Sequence, residues 1–140
     1  MKVLIIEDDM VTQMGMKKIF PLFKESIQFD IVENGKEGIL YLENQGEDKV
    51  DIVILDLHTP VMSGFDFLQK IRSYEQFTDL PVIVHTTSNR TDDLNRCRTL
   101  GISGYFVKHI DYEVYKENFL TILNYWFSSK QRKSLVRIDT

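Results

Sequence analysis

The chain has 140 residues, 43% of them hydrophobic and 27% charged, with a net charge of -4; that is the size and balance of one domain able to bury a core without staples. The acidic balance argues against a nucleic-acid binder working through a broad basic surface, the lone cysteine, Cys97, excludes an internal disulfide, and no apolar run approaches the ~20 residues needed to span a bilayer. Glu7, Asp8 and Asp9 interrupt the first apolar run too early for a signal peptide, so the cytoplasm is the expected compartment.

Lys2, Val3, Leu4, Ile5 and Ile6 read as a short buried strand that ends abruptly in those acids. From Val11, the residues Met14, Met16, Ile19 and Phe20 recur at helical spacing until Pro21, which has no N–H to donate and should end or kink the helix. Phe29, Ile31 and Val32 predict a second strand, Asn34 and Gly35 a turn, and Gly38, Ile39, Tyr41 and Leu42 one face of a helix ending near Gly46. The run Asp51 to Asp56 carries four consecutive apolar residues without alternation, the habit of a parallel strand covered on both faces, and delivers the Asp56 carboxylate to its C-terminal end.

Phe65, Phe67, Leu68 and Ile71 predict a helix beginning beside Gly64, and Leu80 to Thr86 a fourth strand with Pro81 at its start, where a missing donor is tolerated. Asp92, Asp93, Leu94, Cys97 and Leu100 mark a helix stopped by Gly101; Gly104 to Val107 is a fifth strand ending at Lys108; and Tyr115, Phe119, Ile122 and Trp126 stripe a long last helix. Residues 1–127 are thus expected to form one domain, and 128–140, with Lys130, Arg132, Lys133 and Arg137, a basic tail. Five strands alternating with five helices predict an α/β fold, a doubly wound parallel sheet with helices on both faces.

Ligands in such sheets bind at the carboxyl ends of the strands. Glu7 and Asp8, Asp56, Thr86 and Lys108 all follow or close strands, so they converge on one rim. Clustered carboxylates raise one another's pKa unless a cation lies among them, and oxygen-only ligands favour magnesium over zinc. A carboxylate can attack phosphorus to give an acyl phosphate, with a metal ion, an ammonium and a hydroxyl neutralising the phosphoryl oxygens. Each residue alone has a plainer reading: Asp56 as a helix cap, Glu7 and Asp8 as a solvated strand end, Thr86 as a strand residue, Lys108 as a solvated lysine.

From Lys2 to about Trp126 the sequence resembles the receiver domain of two-component response regulators, in the order of its acids, Asp56, Thr86 and Lys108. The resemblance implies a flavodoxin-like five-stranded sheet of order 2-1-3-4-5, with Asp56 as phosphoacceptor. It implies Mg²⁺ held by Asp8 directly, by Glu7 through water, by Asp56 and by the backbone carbonyl of His58. Thr86 and Lys108 would grip the phosphoryl group, and Tyr105 matches an aromatic switch, with plain core packing as its alternative. The implied partners are a sensor histidine kinase or histidine phosphotransfer protein and a downstream protein target, without direct binding to DNA or membrane. The implied activity is phosphoryl acceptance with slow self-dephosphorylation, not enzymatic turnover.

With no effector domain in the sequence, output through a protein contact is expected, and surplus apolar residues Leu120, Tyr125 and Phe127 on the last helix suit an interface. The family implies a homodimer through the fourth helix, fifth strand and fifth helix. Thr86, Thr87 and Ser88 with the aromatic last helix also resemble the stand-alone receivers of phytochrome-type kinases.

The sequence departs from the family at four places. His109 stands where proline usually follows the lysine, which leaves the Lys108–His109 peptide open between cis and trans, a cis bond there costing ~3 kcal/mol. Glu7 replaces the commoner aspartate, Thr87 is bulkier than usual, and His58 overlooks the phosphoryl position, where it would set dephosphorylation rate or else face solvent. Ser88 is expected to cap a helix and His85 to be a satisfied structural histidine. Two rival readings remain: a degenerate receiver used as a binding module, supported by His109, and a haloacid-dehalogenase-type phosphatase, whose motif Asp56, Leu57, His58, Thr59 echoes but which wants an aspartate at His58.

Overall fold

In this computed structural model, which describes residues 1–22, 27–128 and 136–138, the first apolar run is a strand, β1 (Lys2–Ile6), paired on both edges. It is followed by α1 (Met10–Ile19), β2 (Gln28–Val32), α2 (Gly35–Glu43), β3 (Ile52–Leu55), α3 (Gly64–Arg72), β4 (Val82–Thr86), α4 (Thr91–Leu100), β5 (Gly104–Val107), α5 (Tyr112–Ser128) and β6 (Val136–Ile138). The sheet is parallel throughout, in the order β2-β1-β3-β4-β5-β6.

The expected order 2-1-3-4-5 is therefore present, flanked by helices. One strand, β6, extends it beyond β5 from within the tail; Val136, Arg137 and Ile138 are too short a run to stand out in the sequence. The side chain of Phe127 and tail residues Lys130, Arg132 and Lys133 lie outside the described residues.

Strand alternation divides the core into two layers. Leu4, Ile6, Val53, Leu55, Val82, Val84 and Tyr105 face one way and pack with α2, α3 and α4. Val3, Ile5, Ile52, Ile54, Ile83 and Phe106 face the other and pack with α1 and α5, including Tyr115, Phe119 and Trp126. All four residues of β3 are buried, as its unbroken apolar run requires.

Several local expectations need correction. Asn34 and Gly35 do not form a free turn: Asn34 is the N-cap of α2, its side chain accepting from Glu37 N, and Gly35 is the first helical residue. The helix stops at Glu43, short of Gly46. Pro21 ends α1 as predicted, within a 3-10 turn over Phe20–Leu22. Ser88 is not the cap of α4; Arg90 holds that position without a side-chain bond, while Ser88 Oγ accepts from Arg90 N at 3.3 Å. His85 is structural but not satisfied: it is buried among Phe106, Tyr115 and Phe119, and neither ring nitrogen has a hydrogen-bond partner.

Candidate functional site: an acidic pocket at the strand ends

Sheet register brings the acids together before any side chain is considered. Ile6 pairs with Leu55 across β1 and β3, so the next residues, Glu7 and Asp56, emerge side by side. Their amides continue the sheet bonding, Glu7 N to Val32 O at 2.9 Å and Asp56 N to Ile6 O at 3.0 Å. Glu7, Asp8 and Asp56 each offer a carboxylate oxygen, all within 4.8 Å of one another; Glu7 and Asp56 are buried and Asp8 is exposed. Asp9 does not join them, because it caps α1, accepting from Thr12 N at 2.9 Å and Thr12 Oγ1 at 2.6 Å.

Lys108 follows the last residue of β5, its amide donating to Thr86 O at 2.7 Å. Its ammonium reaches back to Asp56 Oδ2 at 3.7 Å but lies closer to Glu7 Oε1, at 2.5 Å. Burial pushes the Glu7 carboxyl up to about 7; Lys108 opposes that shift and Asp56 adds to it. One ammonium thus contacts two of a cluster of three carboxylates, and the all-oxygen donor set with excess negative charge fits a hard divalent cation.

The Lys108–His109 peptide is trans, since no described peptide bond is cis. The imidazole of His109 has a local role: Nδ1 accepts from Asp111 N at 3.0 Å, while Asp111 Oδ1 accepts from Glu113 N and Val114 N at the start of α5. The loop is held by these side-chain bonds, and Lys108 still reaches the acids.

Thr86 is fully buried at the end of β4 and its hydroxyl accepts from Ser88 N at 3.2 Å. Tyr105 shares its sheet face, is buried, and donates its hydroxyl proton to Ser88 O at 2.9 Å; burial is the main cause of its raised pKa. Thr87 is exposed. The His58 amide donates to Asp56 Oδ1 at 3.3 Å, which sets its main chain against the carboxylate. Its side chain is 57% exposed but not free, with Nε2 at 3.9 Å from Asp93 Oδ2 and the ring edge-on to Phe65.

Sequence reasoning missed the scaffold of the loop between β3 and α3. Thr59 Oγ1 donates to Met62 O at 2.7 Å, and Met62 N to Pro60 O at 2.8 Å around Val61, whose φ of 70° is rare for a β-branched residue. Gly64 N donates to Leu57 O at 2.9 Å, and a Cβ at Gly64 would lie 2.6 Å from Asp56 O. The Gly-start of a helix after Asp56 was visible; the close approach behind it was not. Gln13, whose side chain donates to Glu7 O at 2.6 Å, and Asp93 were also missed, because nothing in their spacing ties them to the acids.

The family model of the response regulator receiver domain matches residues 3–119. The chain belongs to the response regulator receiver family. It is 29% identical to the chemotaxis protein CheY-3 of Vibrio cholerae over 84% of this chain and 87% of that protein. The fold of this receiver is that of the phosphorylated cyanobacterial phytochrome response regulator RcpA, with a TM-score of 0.85 at 24% identity over 91% of this chain and 94% of that one. It is equally that of response regulator Rcp1 in its Mn²⁺-bound form, with a TM-score of 0.85 at 22% identity over 91% and 95% of the two chains. It is a receiver of a two-component response regulator, a signalling domain. Among the described residues, no helix is long and apolar enough to cross a membrane.

Proposed function

We propose that this receiver accepts a phosphoryl group on Asp56 from a histidine kinase or histidine phosphotransfer protein, in a Mg²⁺-dependent reaction, and signals by a change in its protein-binding face. The observation that carries the reading is the convergence of Glu7, Asp8 and Asp56 within 4.8 Å, with the Lys108 ammonium 3.7 Å from Asp56. An Asp56 oxygen attacks phosphorus, the bond to the donor nitrogen breaks, and an acyl phosphate results. Asp8, Asp56, the His58 carbonyl and, through water, Glu7 would hold Mg²⁺, which when bound supplies charge neutralisation at the phosphoryl oxygens.

Lys108 and the Thr86 hydroxyl complete that neutralisation. The Thr86 hydroxyl accepts from Ser88 N and can still donate its own proton to a phosphoryl oxygen, while Ser88 O is the acceptor of the Tyr105 hydroxyl. Thr86 and Tyr105 are therefore linked through one residue, which supports the switch role. Slow self-dephosphorylation resets the state. The acidic net charge of -4 argues against direct contact to DNA or an anionic membrane surface, and the lone Cys97 suits the cytoplasm, where the partners would be proteins. A homodimer through α4, β5 and α5 would have to form around β6, which pairs with the outer edge of β5.

The test is incubation with Mg²⁺ and acetyl phosphate, read by intact mass. One phosphoryl adduct is expected on the parent protein and none on Asp56→Asn. An adduct that survives the substitution overturns the assignment, absence of an adduct on both favours a binding module, and steady turnover of phosphate esters favours a phosphatase.

A further inference from the structure

Asp93, in the first turn of α4, lies between two loops that flank the pocket. Its Oδ2 accepts the hydroxyl proton of Ser88 at 2.5 Å and stands 3.9 Å from Nε2 of His58. The first contact is a hydrogen bond; the second lies beyond hydrogen-bond range but within the reach of one bridging water or a small rotation. Ser88 in turn binds Thr86 through its amide and Tyr105 through its carbonyl. A parallel link runs one turn further along the helix, where the Arg96 guanidinium sits 4.1 Å over the ring of Phe65, the ring against which His58 leans. The carboxylate is only 20% exposed, so its field is poorly screened by solvent.

We propose that Asp93 is a positioning residue that sets the lifetime of the phosphorylated state by directing the His58 imidazole. The inference rests on the phosphoacceptor reading of Asp56. Loss of the group requires a water oxygen to bond to phosphorus while the bond from phosphorus to the Asp56 oxygen breaks; the electron pair returns to the carboxylate and the water proton leaves with inorganic phosphate. The His58 main chain already abuts Asp56, and its partly exposed ring stands at the pocket mouth, where it can order that water. With Nε2 turned toward Asp93, that nitrogen is withheld from water at the pocket mouth. Removing Asp93 releases it, and hydrolysis accelerates. Because the same carboxylate anchors Ser88, the residue that also ties Thr86 and Tyr105, α4 and the His58 loop are held by one group.

The experiment phosphorylates the full chain with acetyl phosphate and Mg²⁺, removes the donor, and follows the adduct by intact mass in the parent, Asp93→Ala, Asp93→Glu, His58→Ala and the His58→Ala/Asp93→Ala double variant. The expected result is a lifetime shortened about fivefold in Asp93→Ala, a barrier change of ~1 kcal/mol, restored by Asp93→Glu, and no further effect of Asp93→Ala once His58 is alanine. An unchanged or longer lifetime in Asp93→Ala, or the same shortening in the His58→Ala background, overturns it. If Asp93→Ala does not fold, Asp93→Asn, which keeps an acceptor for Ser88 Oγ, carries the same comparison. No adduct on the parent overturns the phosphoacceptor reading and this inference together; an adduct indifferent to Asp93 overturns this inference alone.

Discussion

His85 immediately precedes Thr86 on β4, and alternation turns it to the opposite face, into the aromatic layer of Phe106, Tyr115 and Phe119. Desolvation first, and the charge of Lys108 second, hold its pKa well below the ordinary 6.5. The ring is therefore neutral in the folded protein and protonates more readily in the unfolded chain. As pH falls below about 6.5 the unfolded state binds the extra proton, so stability contributed by the neutral ring is present above that pH and drains away below it, toward the lower folded pKa, by at most ~1.4 kcal/mol per pH unit. His85→Leu removes both the titration and the two unpartnered nitrogens. It should gain about 1 kcal/mol at pH 7.5, with the gap over the parent widening as pH is lowered, as measured by urea unfolding across pH. A variant less stable than the parent throughout, with an unchanged pH slope, would show that the ring nitrogens find partners.

At the scale of elements, the pocket depends on how closely α3 approaches the end of β3. A Cβ at Gly64 would meet Asp56 O at 2.6 Å and Leu57 Cα at 2.7 Å, both part of the main chain that carries the Asp56 carboxylate. At Gly38 the nearest atom is Ile6 Cδ1 at 2.5 Å, the far end of a side chain that can rotate. Gly64→Ala should therefore cost about 2–3 kcal/mol, an overpacking penalty with no side chain able to yield. Gly38→Ala should cost clearly less, because the same strain is relieved by Ile6 and partly offset by the ~1 kcal/mol helix preference of alanine. Thermal unfolding of the two variants measures the difference, and equal losses would mean that the loop after β3 adjusts as easily as an isoleucine side chain.

At the scale of the molecule, stability and the acidic pocket are linked. Three carboxylates are drawn together by folding against one ammonium, and an ion that binds this arrangement but not the unfolded chain stabilises the fold by mass action. At Mg²⁺ a hundredfold above its Kd the gain is about 2.7 kcal/mol, or ~2–4 °C in Tm per kcal/mol for a chain of this size. Chelation should reverse the rise, and Asp8→Asn, at an exposed position, should abolish it with little other damage; a parent Tm indifferent to Mg²⁺ would argue against the metal. Glu7, Asp56 and Lys108 were legible in the sequence because each follows an apolar run that reads as a buried strand: Ile6 before Glu7, Leu55 before Asp56, Val107 before Lys108. Apolar periodicity and chain order thus determined the five-stranded fold and the rim on which the acids meet. Tertiary structure alone decided what depends on contacts between elements distant in sequence. Lys108 lies closer to Glu7 than to Asp56, the His85 ring nitrogens are left without hydrogen-bond partners, β6 joins the sheet, and Asp93 of α4 faces His58 across the pocket mouth. The physical reason is that periodicity reports which face of an element is buried, whereas the partner that a polar side chain finds is set by how separate elements pack.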